Sequence, residues 1–192
     1  GVLFIILAGG PLHELFRQSG FWPPVALIAA VNASIWEHQK MQFWPGLVFA
    51  CFQWFRIGKR IPNYWFGKLV GLVVTPVLAS LSYVVYMIYE RAAAEFSPSL
   101  VITMGSTMLS VCIGQAICYK VLTADSVPAS FSRFTKAGYV LMLAAFSLFT
   151  YFPPRLGLFE HNRHYQPVGE YGIDVVYENE PHPWEVDEPH DE

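Results

Sequence analysis

Two long stretches without a charged residue constrain the fold of this chain more than any other feature. Leu69–Tyr89 and Ser97–Tyr119 contain no Asp, Glu, Lys or Arg. Each stretch exceeds the roughly 18–20 apolar residues that a helix needs to cross a bilayer. Only 14% of the 192 residues are charged, whereas soluble domains usually have about 25%. The chain is therefore predicted to be an all-α integral membrane protein, because helices satisfy their own backbone polar groups in lipid.

The other apolar segments bring the prediction to about five transmembrane helices. The predicted spans are Gly1–Phe16, Met41–Phe55, Phe66–Tyr89, Ser99–Tyr119 and Lys136–Phe152. A sixth segment, Phe21–Trp36, begins with two prolines, which are common in the first turn of a helix. Because Phe21–Trp36 and Met41–Phe55 are both short, three arrangements stay open: a re-entrant or interfacial helix before a span, two short spans, or one long tilted helix. We favour the re-entrant helix.

Charge separates the chain into two predicted domains, a transmembrane helical body (residues 1–152) and an acidic, Pro-rich tail outside the membrane (residues 153–192). The tail has ten acidic residues and two arginines. Such a composition predicts an extended polar segment, since it offers little apolar surface to bury. The basic residues of the body are concentrated in the connections 56–68 and 120–136, which two predicted spans separate. The positive-inside rule then places both connections in the cytoplasm and the tail on the non-cytoplasmic side.

Small residues recur at four-residue spacing in two neighbouring predicted helices. The two sets are Gly67, Gly71, Thr75 and Ala79, then Ser106, Ser110, Gly114 and Cys118. Stripes of this kind let helix backbones approach closely in lipid, where packing replaces the hydrophobic driving force. We therefore expect these two helices to pack against each other.

A polar cluster lies among the apolar segments and is the candidate functional site. Its residues, together with a polar pair upstream, are His13, Glu14, Asn32, Glu37, His38 and Lys40. Ionisable groups at membrane depth are costly and are usually retained for a purpose. Histidine and carboxylate could bind Zn, Fe, Cu or Mn, and His13 with His38 could ligate a non-covalent haem. The alternative is a polar turn at the membrane surface, with a Glu37–Lys40 pair and with Asn32 or Ser34 bonded to backbone.

This cluster and the segments after it resemble the signature of a small, uncharacterised family of bacterial and archaeal multi-pass membrane proteins. The matching residues are Asn32, Ser34, Trp36, Glu37, His38, Lys40, Phe43-Trp44-Pro45, Phe152-Pro153-Pro154, Leu158-Phe159, Pro167 and Gly169–Ile173. The motif of the family reads N-x-S-x-W-E-H-x-K, and the resemblance covers about Leu12–Ile173. It implies a multi-pass protein of a prokaryotic cell membrane and implies no activity. Ala33 stands where the family usually has Glu, which weakens a metal site by analogy.

The end of the tail and the abundant aromatic residues point to partners. Tyr177 and Trp184 could anchor the tail on a neighbouring protein, with its acidic groups facing basic patches. Aromatic residues make up 16% of the chain. Many of them lie near predicted span ends, as an interfacial belt requires. The same aromatic walls could contact pigments, quinones or lipids.

The function predicted from these features is that of an accessory or structural subunit in a larger membrane complex, of the respiratory or photosynthetic electron-transport type. Its partners would be membrane lipids and other integral membrane subunits. The basic residues are scattered between spans, which argues against nucleic acid. The lack of a catalytic motif favours a non-enzymatic role. The alternatives are a membrane metal- or haem-binding enzyme centred on His13, Glu37 and His38, and a small transporter.

Overall fold

The structure, a computed structural model, describes residues 1–93, 100–128, 131–163 and 166–174. Within these ranges the chain is mostly helical. The elements are α1 (Val2–Gly9), α2 (Leu15–Gln18), α3 (Ile35–Arg56), α4 (Tyr64–Ala93), α5 (Leu100–Leu122), α6 (Phe131–Tyr151), β1 (Glu160–Arg163) and β2 (Gln166–Tyr171). Short 3₁₀ turns occur at Gly10–His13, Pro23–Leu27, Gly58–Arg60 and Gly172–Asp174.

Among the residues that the structure describes, three helices are long and apolar enough to cross a membrane. They are Tyr64–Tyr89 within α4, Val101–Leu122 within α5, and α6. At 1.5 Å per residue these segments are roughly 32–39 Å long, which exceeds the hydrocarbon thickness of about 30 Å. The helical fold and the long apolar segments are therefore confirmed, whereas the total of five crossings stays a prediction.

The small-residue faces of α4 and α5 lie against each other. A side chain at Gly71 would meet Cys118 Cβ at 3.0 Å and the Gly114 carbonyl oxygen at 3.5 Å. A side chain at Gly114 would collide with Thr75. A side chain at Gly67 would collide with the side chain of Leu122, at 2.9 Å from Cδ2. The stripe residues Thr75, Ala79, Ser110 and Cys118 are buried, while Ser106 is half-buried. Close backbone approach thus explains why small residues occupy these positions.

Helix α3 begins at Ile35 rather than at Met41, where the sequence placed the start of a span. Ser34 is its N-cap, since its side chain accepts a hydrogen bond from the Glu37 amide at 3.2 Å. This is the usual way to satisfy an amide that has no partner within its helix. The predicted boundary at Lys40 was wrong because Lys40 is a buried residue inside the helix.

The segment predicted as a helix from about Pro24 is mostly irregular. It forms one 3₁₀ turn, Pro23–Leu27, and then runs without regular structure to Ser34. Its apolar residues pack in a cluster comprising Phe16, Phe21, Ala26, Ala29 and Val31. One side of the segment is therefore covered by protein, whereas Trp22, Leu27 and Ile28 are exposed. The segment is not the re-entrant helix that the sequence suggested.

The first predicted span, Gly1–Phe16, is also divided. α1 ends at Gly9 and is followed by the 3₁₀ turn Gly10–His13 and the short helix α2. Pro11 lies in this turn and removes a backbone donor. Gly9 packs directly on α3, because a Cβ atom there would collide with the Met41 carbonyl oxygen. α1 is thus an apolar helix that packs along α3.

Part of the tail is folded rather than extended. β1 and β2 pair as an antiparallel hairpin, with Glu160 opposite Tyr171 and Arg163 opposite Gln166. Together with residues 10–34, the described residues of 152–174 form what we call the cap, at one end of the helical bundle. The opposite end, called the basic end, comprises residues 56–64 and the described residues of 120–136. Residues 175–192, including Tyr177 and Trp184, lie outside the described residues.

Candidate functional site

A buried ion pair lies where α3 meets the cap. Lys40 Nζ is 2.8 Å from Glu37 Oε2, and the two side chains are 0% and 2% exposed. Their spacing of three residues places them on neighbouring turns of one helix face. Thr150, near the end of α6, donates to Glu37 Oε1 at 2.9 Å and accepts a hydrogen bond from Lys40 Nζ. The pair therefore joins α3 to α6.

The same pair satisfies the backbone of the irregular segment. Lys40 Nζ donates to the carbonyl oxygens of Ala26 at 2.8 Å and Ala29 at 3.3 Å. Glu37 Oε2 accepts from the Val31 amide at 3.1 Å. A segment that is neither helix nor strand cannot pair these groups internally, and leaving them unpaired when buried is costly. Glu37 and Lys40 supply the missing partners.

Asn32 connects this arrangement to the end of the cap. Its side chain accepts from the Ser34 amide at 2.8 Å and donates to the Gly172 carbonyl at 2.8 Å. Gly172 has a φ of 66°, and a Cβ atom there would lie 2.6 Å from the Thr150 carbonyl oxygen. His161 Nδ1 accepts from the Ala33 amide at 3.0 Å. We call Asn32, Ser34, Glu37, Lys40 and Thr150 the polar network.

The structure divides the six candidate residues into two groups. Asn32, Glu37 and Lys40 belong to the polar network, where each oxygen of Glu37 and the ammonium of Lys40 has partners. His13, Glu14 and His38 lie together beside it, with the rings of His13 and His38 centred 5.3 Å apart. Across the part of the chain that the structure describes, no group of three or more His, Cys, Asp or Glu residues is placed to hold a metal ion.

Both histidines are oriented by hydrogen bonds from Nδ1. His13 Nδ1 lies 2.7 Å from Glu14 Oε1, and His38 Nδ1 lies 2.8 Å from the Ser34 carbonyl oxygen. Each ring is thus held by an oxygen acceptor at Nδ1, which fixes its orientation.

The aromatic residues near the network mainly contact one another. Trp36 stacks on Phe146 with ring centres 4.7 Å apart and also contacts Phe159 at 5.0 Å. Phe43 also stacks on Phe146, with ring centres 4.5 Å apart. Two clefts of about 410 and 450 Å³ are formed by described residues, and neither is lined by Glu37 or Lys40. Glu37, Lys40 and Thr150 are at most 2% exposed, so the polar network is closed to solvent and its geometry is that of a structural connection.

Sequence reasoning found the Glu37–Lys40 pair and the backbone role of Asn32 and Ser34 as one of two alternatives. It missed Thr150, which completes the network from a helix far along the chain. A lone Thr at the end of an apolar helix carries no distinguishing signal. Sequence reasoning also grouped His13 and His38 with Glu37. In the structure the two histidine rings face each other, whereas the Glu37 carboxylate bonds to Lys40 and Thr150.

Comparison with known proteins identifies a family. The chain matches no curated protein and no solved structure. A family model described as "Family of unknown function (DUF6512)" matches residues 1–173. Since this match covers most of the 192 residues, the chain belongs to the DUF6512 family, whose function is unknown.

Proposed function

We propose that this protein is an accessory subunit of a larger membrane complex, which presents an acidic C-terminal arm to a partner protein at the outer face of the membrane. The observation that carries this proposal is the attachment of the cap. Asn32 bonds to the Gly172 carbonyl, and Gly172 packs against the end of α6. The backbone at Gly172 is therefore attached to the bundle, so the arm that follows Asp174 begins at a defined position on the protein. A segment that docks on a partner needs such an attachment.

The proposed topology has five crossings, made by the first apolar segment (Gly1–Phe16), α3, α4, α5 and α6; the eight residues of α1 make up only part of the first crossing. Lys and Arg side chains collect at the basic end, which we assign to the cytoplasm. Asn63 brings its two connections together by bonding to the carbonyl oxygens of Val121, Ala124 and Asp125. The cap and the arm are then on the non-cytoplasmic side.

The chemistry of the arm indicates the kind of partner. Residues 175–192 contain seven acidic residues and no Lys or Arg. Tyr177 and Trp184 are of the aromatic type that most often anchors protein interfaces. A partner with a basic surface and aromatic-sized pockets fits this arm, because complementary charge accelerates association and selects the partner.

The closed polar network supports this role over catalysis at the same residues. The charged groups of Glu37 and Lys40 are used to hold backbone and helix together. A buried pair of this kind can define a unique structure even where its net contribution to stability is small. Function in such a molecule is expected at its surfaces.

Site-specific photo-crosslinking in native membranes tests the proposal. A photoreactive residue in place of Trp184 should link to one membrane protein. Replacing the seven acidic residues of the arm by their amides should abolish that link, because the charge complementarity is lost. The same crosslinker in place of Trp22, an exposed cap residue, serves as the matched control.

Native gel migration provides a second measurement on the same membranes. Extraction in mild detergent should give a complex larger than the single chain, and deletion of residues 175–192 should release the monomer. A full-length protein that migrates as a monomer and whose arm is cleaved by added protease in intact membranes would refute the proposed role.

A further inference from the structure

We propose that His13 and His38 form a two-histidine site for a divalent transition-metal ion such as Cu²⁺ or Zn²⁺. This inference is independent of the docking arm. The two residues come from different elements, the 3₁₀ turn Gly10–His13 and the start of α3. A hydrogen bond of 3.1 Å from the Ala30 amide to the Leu12 carbonyl holds this turn against the irregular segment that precedes α3.

The separation of the rings fits one shared ion. Their centres are 5.3 Å apart, with an angle of 61° between the ring planes. A zinc–imidazole bond is about 2.0–2.1 Å long, and two imidazoles on one tetrahedral ion have ring centres roughly 5 Å apart. The observed distance between ring centres therefore matches that of two imidazoles on one ion.

The hydrogen bonds also leave the correct nitrogen for an ion on each ring. A carboxylate oxygen and a carbonyl oxygen only accept hydrogen bonds, so Nδ1 carries the proton in both His13 and His38. In a neutral imidazole the other nitrogen, Nε2, then has a free lone pair. Histidines that bind metals are usually oriented in this way, with the second nitrogen donating to a carboxylate or a backbone carbonyl.

The supporting groups are themselves held in place. Glu14 Oε2 lies 3.2 Å from Arg17, which orients the carboxylate that bonds to His13. Ser34, whose carbonyl accepts from His38, is buried at 1% exposure and bonded to Asn32. His13 is 45% exposed, so an ion can reach the pair from water.

Two protein ligands leave other coordination positions for water or an added ligand. His161 adds none through Nδ1, because that nitrogen accepts from the Ala33 amide. Such an open site favours an exchangeable ion over a structural one. Imidazole ligands select Zn, Cu and Ni over Mg and Ca, which gives the class of ion expected here.

The test uses the full chain in detergent, purified through a tag without histidine, and titrated with Cu²⁺ alone. The informative variants are His13→Asn and His38→Asn, because the Asn amide keeps the donor to Glu14 or Ser34 and removes Nε2. The control is His182→Asn combined with His190→Asn, which changes two histidines of the arm. Pulsed EPR counts the imidazoles that bind the Cu²⁺ ion.

Wild-type protein should bind one Cu²⁺ per chain with two imidazoles, and the arm control should match it. Each Asn variant should lose one imidazole and bind at least about tenfold more weakly, while Glu14→Gln should weaken binding about ten- to hundredfold.

The inference is overturned if the wild type shows no saturable two-imidazole site, or if that site persists in both Asn variants. Thermal unfolding without metal checks folding, and the exposed His13 variant decides the outcome if His38→Asn unfolds.

Discussion

The basic end and the cap both use a side chain to hold an irregular connection, but they use different chemistry. At the basic end the neutral amide of Asn63 donates to the carbonyls of Val121, Ala124 and Asp125, at 2.8–3.3 Å, and accepts from the Val127 amide at 2.9 Å. At the cap the charged pair Glu37 and Lys40 bonds to three backbone groups and to Thr150.

Exposure of the held backbone explains this difference. Ala124 and Asp125 are exposed, so water can complete the hydrogen bonding that Asn63 leaves open. Ala26, Ala29 and Val31 are 0% exposed, so their backbone groups depend on protein partners. An ammonium supplies three donors and a carboxylate several acceptor sites at one point. Charged side chains therefore hold the irregular backbone that is buried in the cap, whereas a neutral amide suffices for the backbone that is exposed to water at the basic end.

Removing one charge of the cap pair should produce the largest effect. Lys40→Met leaves Glu37 buried without its cation and leaves two carbonyls without a donor, which should cost about 3–5 kcal/mol of unfolding free energy. Thermal and denaturant unfolding in detergent measure the loss. Lys59→Met, at an exposed position of the basic end, should change stability by less than about 0.5 kcal/mol.

A double substitution sharpens this prediction. Lys40→Met with Glu37→Leu removes both charges, so the loss should be smaller than the sum of the two single losses. Strict additivity would show that the two residues do not act as a pair.

Gly172→Ala should be the next most harmful change, because it combines backbone strain with a collision. A left-handed φ costs a residue with a side chain about 1–2 kcal/mol, and the Cβ would lie 2.6 Å from the Thr150 carbonyl oxygen. Gly169 has a similar φ of 77° but open space around it. Unfolding of Gly169→Ala thus measures the strain alone, and equal losses in the two variants would contradict the close packing at Gly172.

Asn63→Ala should cost about 1–3 kcal/mol, less than Lys40→Met, because water replaces part of its hydrogen bonding. Asn63→Asp should be no better than Asn63→Ala, since a carboxylate keeps the acceptor for Val127 but faces three carbonyl oxygens. Thr123→Ala, on the same connection, serves as the control and should be nearly neutral. If Asn63→Ala proves as damaging as Lys40→Met, exposure does not explain the difference between the two ends.

The smallest effect is expected from Tyr151→Phe. The Tyr151 hydroxyl donates to the Pro23 carbonyl at 2.6 Å in an exposed position. Its loss should cost about 0.5–1.5 kcal/mol, because the ring still packs on the cap. The same unfolding measurement would contradict the ranking if the loss exceeded that of Asn63→Ala.

Much of the helical body could be predicted from short-range patterns, and much of the cap could not. Gly71, Thr75 and Gly114 recur at helical spacing, and the structure brings these faces of α4 and α5 together. The start of α3 at Ile35 was missed because Lys40 resembles the end of an apolar segment. In the structure its charge is paired within the protein, three residues from Glu37.

By itself the sequence determined the apolar helices. A long segment without charged residues is stable in a bilayer only if its backbone polar groups are paired, and a single segment achieves this as a helix. The sequence also placed Glu37 and Lys40 one turn apart, where they could pair. Only the tertiary structure decided that Thr150 completes this pair, that Gly172 closes on α6, and that His13 faces His38 rather than Glu37. These contacts join residues far apart in the chain, and no local spacing encodes which distant groups a buried polar side chain will meet.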